Sequence, residues 1–185
     1  MSKYEDWLEM ALKDLNQDFC IGYFKPENEV HLQCHLYHVL SLTELKVDGL
    51  QRHHPVVAEF SGILPQKKID LALCRRFKES LEPRLLIEIK ETSKDYLSKT
   101  DVENRIEPDI KKLMEYREML KSKASEDVSG NYKKILDSLR PPAVVFFFRG
   151  ASKKGISEKL NREMKELKKE IYSEKKIRFY WGPVC

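Results

Sequence analysis

Asp70, Glu88 and Lys90 are the residues of this chain whose types and spacing suit chemistry best. The runs Lys67 to Cys74 and Arg84 to Lys90 are short, apolar and bounded by turn residues, as strands are. Alternation sends Ile69, Leu71 and Leu73 to one face of the first run, and Lys68, Asp70, Ala72 and Cys74 to the other. In the second run Leu85, Ile87 and Ile89 share one face, while Leu86, Glu88 and Lys90 share the opposite one. If the two pair as a hairpin with their apolar faces together, one allowed register sets Cys74 opposite Arg84 and Asp70 opposite Glu88. Their β-carbons would then be ~5 Å apart. Carboxylates that close repel each other unless a hard cation sits between them, and Lys90 points into the same place.

Other residues are weaker candidates. Glu29 precedes Leu32 by three residues and Leu36 by seven, on the apolar stripe of a helix expected after Pro26. A carboxylate there either faces the strand acids or simply favours the first helical turn. His31, His35 and His38 read as a polar helix face rather than metal ligands, because no third ligand follows at suitable spacing. His53-His54 belongs to a connection. Lys68, Lys111 and Lys112, with Lys121 and Lys123, are candidates for tracking a phosphate backbone, a role that solvated helix lysines mimic.

The elements that must position these residues follow from periodicity. Ser2 and Glu5 form a capping box, and Tyr4, Leu8, Ala11, Leu12 and Leu15 continue a first amphipathic helix. A second carries Leu32, Leu36, Val39 and Leu40 on one stripe. Three strands are expected, Val56 to Ile63, Lys67 to Cys74 and Arg84 to Lys90, joined by Pro65-Gln66 and by Arg75 to Pro83. A helix beginning near Pro108 should bury Ile110, Leu113, Met114 and Leu120, and Ser122 to Asn131 reads as a loop. A short helix Tyr132 to Leu139 follows. The strand Ala143 to Phe148 is apolar throughout, as in a strand covered on both faces. A helix through Ile156, Leu160, Met164, Leu167 and Ile171 and a strand from Ile177 to Trp181 complete an α/β fold with a mixed central sheet flanked by helices.

At 185 residues the chain fits a single domain. Residues 1–25 are a helical extension, 26–150 the core, and 151–185 a closing helix and strand. Charged residues make up 35%, yet 34 basic against 30 acidic residues leave a net charge of only +4, which permits a nucleic-acid partner without announcing one. Cys20, Cys34, Cys74 and Cys185 lack Cys-x-x-Cys spacing and read as reduced thiols. No apolar leader or membrane span is visible, so a cytoplasmic protein without a membrane partner is expected. The absence of Gly-rich phosphate loops and of a Gly-x-Ser-x-Gly elbow excludes the commonest nucleotide-driven and serine-hydrolase classes.

Asp70 on one strand and Glu88-Ile89-Lys90 on the next, after a helix bearing Glu29, resemble the PD-(D/E)xK nuclease superfamily across roughly Pro26 to Phe148. Ile69 stands where the superfamily's name has proline. The resemblance implies a restriction endonuclease-like α-β-β-β-α-β core and a Mg²⁺- or Mn²⁺-dependent endonuclease. Asp70, Glu88 and the Ile89 carbonyl would hold the metal, Lys90 would act on the attacking water, and Glu29 would complete the site. The substrate implied is nucleic acid, DNA before RNA, and a homodimer is an admissible assembly. The alternative class is a binding or assembly subunit that keeps the fold without turnover.

Overall fold

Apolar residues at helical spacing bring the first two helices together. In α1 (Lys3–Cys20) the buried apolar side chains are Tyr4, Trp7, Leu8, Ala11, Leu12, Leu15 and Phe19, and in α2 (Glu29–Val47) they include Leu32, Leu36, Val39 and Leu40. Trp7 satisfies its buried indole N–H by donating to the Leu40 carbonyl at 2.9 Å, which fixes α1 on α2. The computed structural model describes residues 3–47, 55–61, 68–77, 80–152 and 154–184. Ser2, His53-His54, the Ile63 and Lys67 strand ends, Pro65-Gln66 and Cys185 lie outside the described residues.

The strands are β1 (Val56–Phe60), β2 (Ile69–Phe77), β3 (Ser80–Thr92), β4 (Ala143–Phe148) and β5 (Arg178–Gly182). They form one five-stranded mixed sheet in the order β1-β2-β3-β4-β5. The first three are antiparallel, while β3, β4 and β5 run parallel. The parallel crossovers use α3 (Lys99–Glu126) and α4 (Asn131–Ser138), then α5 (Glu158–Lys175). Helices α1 and α2 cover the face bearing Leu71, Leu73, Leu85, Ile87 and Val145, and α3 and α5 cover the face bearing Ala72, Leu86, Val144, Phe146 and Phe179. All of β4 is buried because both its faces are covered, as its continuous apolar run requires.

Several boundaries differ from the expected ones. The β2–β3 ladder continues past Cys74, with Arg75 opposite Glu82 and Phe77 opposite Ser80, and Glu82 is paired with Arg84 on its own strand. The expected register holds at Leu71↔Ile87 and Leu73↔Leu85, then slips by one at a bulge, so that Cys74 faces Pro83 rather than Arg84. Proline has no N–H for the ladder, and a bulge tolerates it. Ile69 packs with Phe60 on the α3 side instead of joining Leu71 and Leu73. Alternation breaks beside Glu59, whose φ of +52° lies in the left-handed region.

Helix α3 starts well before Pro108 because Ser98 and Asp101 form a reciprocal capping box, and it extends to Glu126 rather than stopping at Ser122. Pro108 lies inside it, and burial of Val102 and Ile106 before it and Ile110, Leu113 and Tyr116 after it offsets the lost hydrogen bond. Met114 is exposed, and Tyr116 fills the core in its stead. Cys34 and Cys74 are free thiols, whereas Cys20 is disulfide-bonded, a tertiary pairing that cysteine spacing does not report. Among the described residues no helix is long and apolar enough to cross a membrane.

Gly150 follows β4 where the chain passes the end of β3, and the Arg149 N–H donates to the Thr92 carbonyl at 3.0 Å. A Cβ at this position would overlap the Ser93 carbonyl oxygen and lie 2.7 Å from the Lys94 carbonyl carbon. Both neighbours are backbone and cannot turn away. Gly150→Ala is therefore expected to destabilise the fold by roughly 2 kcal/mol or more, measured as a lower midpoint in urea. An unchanged midpoint would show that this crossing relaxes freely.

Candidate functional site

The site forms where β3 outruns β2. The β2–β3 ladder ends at Leu71↔Ile87; Asp70 lies just past it, where its charge raises the pKa of Glu88, and Lys90 lies further along β3. The N-terminus of α2 and the middle of α3 converge there from opposite layers. Asn28 opens α2 by accepting from the His31 N–H at 2.9 Å, and Gln33, one turn further on, donates to the Asp70 carbonyl at 2.8 Å. That contact ties α2 to the start of β2.

Asp70 Oδ2 accepts the Ile89 N–H at 2.7 Å. Glu88 is 1% exposed; its Oε2 is 2.6 Å from Lys112 Nζ, and its Oε1 has no hydrogen-bond partner among the described residues. Lys90 Nζ lies 3.3 Å from Glu29 Oε2 and 3.5 Å from Asp109 Oδ2. Lys112 also donates to the Lys68 carbonyl at 2.9 Å. The structure thus brings Glu29, Asp70, Glu88 and Lys90 together and adds Asp109 and Lys112 from α3.

Burial dominates the electrostatics of the acids. It pushes Glu88 up to about 9, helped by the neighbouring Asp70 charge and opposed by Lys112. Burial also raises Asp70, against the Ile89 amide and Lys112, and raises Asp109, against Lys90 and Lys112. For Lys90 burial works against the ammonium, but Asp109 and Glu29 outweigh it and hold its pKa above the ordinary value. Lys90 is therefore a fixed positive charge.

Asp109 was not among the residues singled out from the sequence. It falls three residues after Ile106 and four before Leu113, an acid on the apolar stripe of α3, the same signal that marked Glu29. Placing the start of the helix at Pro108 removes Ile106 from the stripe and hides that signal.

The other candidates disperse. His35 hydrogen-bonds Asp18 at 3.0 Å and stacks on Phe24, joining α2 to α1, while His31 pairs with Glu27 and His38 is exposed. Lys68 pairs with Glu59 at 3.4 Å, and Lys111 is exposed. Lys121 pairs with Glu118, and Lys123 covers the Tyr132 ring, both toward the far end of α3.

Among the described residues no group of three or more His, Cys, Asp and Glu side chains is arranged to hold one metal ion. Two observations nonetheless fit a hard cation beside Asp70 and Glu88. The donors are carboxylate oxygens, and Glu88 Oε1 is buried without a partner among the described residues. Comparisons of the chain with family models, curated proteins and solved structures give no significant match.

Proposed function

We propose that this chain is a divalent-metal-dependent phosphodiester hydrolase with a restriction endonuclease-like core, acting on DNA in preference to RNA. The observation that carries the reading is Glu88, a carboxylate 1% exposed beside Asp70, with one oxygen unpartnered among the described residues and Lys90 on the same strand face. A buried acid pair of this kind is costly to the fold and calls for a cation. Asp70, Glu88 and the Ile89 carbonyl would hold Mg²⁺ or Mn²⁺, which neutralises charge on a phosphate and lowers the pKa of bound water.

The chain's own groups supply the rest. Glu29 and Asp109 keep Lys90 protonated and restrict its swing, so that its Nζ faces the acids as a donor. A protonated amine there orients the nucleophile and screens the phosphate's charge as it approaches. Lys68 and Lys111 offer further positive charge nearby for the backbone of a nucleic acid. A binding or assembly subunit is the second reading, and the Lys112–Glu88 ion pair favours it, because that pair already closes the acid site with the chain's own cation.

Cleavage of duplex, single-stranded and branched DNA and of RNA with Mn²⁺ tests the assignment. Wild type should cut at least one DNA substrate, Asp70→Asn none, and Glu29→Gln should be slowed about tenfold, because Asp109 still holds Lys90. Glu29 is only half-buried, so its amide variant should melt like wild type. A wild type that cuts nothing, and whose melting temperature Mn²⁺ leaves unmoved, would overturn the hydrolase.

A further inference from the structure

The two lysines of the site are held differently. Lys90 is gripped by two carboxylates, Glu29 and Asp109, from helices on opposite layers. Lys112 has one carboxylate among the described residues, Glu88 at 2.6 Å, and one backbone acceptor, the Lys68 carbonyl at 2.9 Å. Its side chain is 21% exposed, whereas that of Glu88 is 1% exposed. The acid cannot leave, but the lysine can turn out along the surface of α3.

We propose that Lys112 is the site's built-in counter-ion, exchanged for the divalent ion, so that withdrawal of its ammonium from Glu88 gates metal loading. This rests on the metal-site reading above. Without metal, the Lys112 ammonium is the partner of the buried Glu88 Oε2. A hard cation would seek the same carboxylate oxygens. Placing it there beside an ammonium already on Glu88 would bring like charges together where little solvent screens them. Lys112 is also the strongest opposing charge on Asp70, so both expected ligands feel the same competitor. Lys90 does not fill this role, because leaving would strip the buried Asp109 of its ion pair.

The gate predicts that removing the competitor tightens metal binding. Mn²⁺ titration by calorimetry should give Lys112→Gln at least tenfold tighter affinity than wild type, while Lys112→Arg, which keeps the charge, should bind no tighter than wild type. Independently, amine labelling of wild type read by mass spectrometry should show Lys112 becoming several-fold more reactive on adding Mn²⁺, with Lys90 unchanged. Equal or weaker Mn²⁺ affinity in a folded Lys112→Gln, or Lys112 labelling that stays level or falls on Mn²⁺ addition to a binding-competent wild type, overturns the gate alone. If wild type and Asp70→Asn bind Mn²⁺ alike or not at all, the metal site itself is refuted and the gate with it. The labelling arm needs no variant, so it decides the question even where Lys112→Gln does not fold.

Discussion

Lys90→Met should lower the rate of nucleic-acid cleavage by about 10²–10³-fold, the range for removing one preorganised charge-stabilising donor. Methionine keeps most of the side-chain length and apolar volume and removes only the ammonium. That ammonium is the charge which Glu29 and Asp109 hold beside the acid pair. Mn²⁺ should still bind, because none of the expected metal ligands is altered. Asp109, 8% exposed, loses its ion pair and should take up a proton to stay buried, with modest loss of stability. The measurements are single-turnover cleavage and the Mn²⁺-induced shift in melting temperature. Cleavage at the wild-type rate would move the chemistry away from Lys90. Should wild type and variant bind nucleic acid alike and neither cut it, the binding-subunit reading would replace the hydrolase.

Glu88→Gln is expected to stabilise the metal-free protein at alkaline pH and to abolish its response to metal. Burial and the Asp70 charge raise Glu88 from an ordinary 4.5 to about 9 in the folded chain. The folded state therefore keeps a proton that the unfolded state has lost between those values. The contribution is fully present below the unfolded pKa and is lost as pH rises through the folded one. In that window each pH unit removes at most about 1.4 kcal/mol, and each kcal/mol moves the melting temperature by roughly 2–4 °C for a chain of this size. Relaxation of the partly exposed Lys112 makes the real slope shallower. The amide keeps the shape of the acid and cannot ionise, so most of the slope should vanish. Asp70 and Asp109, also raised by burial, leave a remainder of the same sign. Urea denaturation in chelator at pH 5, 7 and 9 measures this. A variant less stable than wild type at pH 9 would show that the ionised Glu88–Lys112 pair is a net support of the fold.

Much of this architecture is legible in one dimension because short-range periodicity reports it directly. The unbroken apolar run of Ala143 to Phe148 is a strand buried on both faces, since no position on it meets water. Leu32, Leu36, Val39 and Leu40 recur at helical spacing and are buried against the sheet. From Leu71↔Ile87 to Leu73↔Leu85, short of the bulge at Cys74, the two strands pair in the expected register because shifting by one residue would turn Leu71, Leu73, Leu85 and Ile87 away from their core.

Other features needed three dimensions. The bulge at Cys74, the turn of Ile69 to the α3 layer and the passage of α3 through Pro108 arise where neighbours override local preference, with the burial of Ile106 and Ile110 outweighing a lost helix hydrogen bond. Asp109 and Lys112 entered the site through that same helix. Periodicity can say that a residue lies on a buried stripe, but not which charged group stands opposite it. That depends on how two layers, remote in sequence, are docked on either side of one strand end, and there the difference between one carboxylate partner and two separates Lys112 from Lys90.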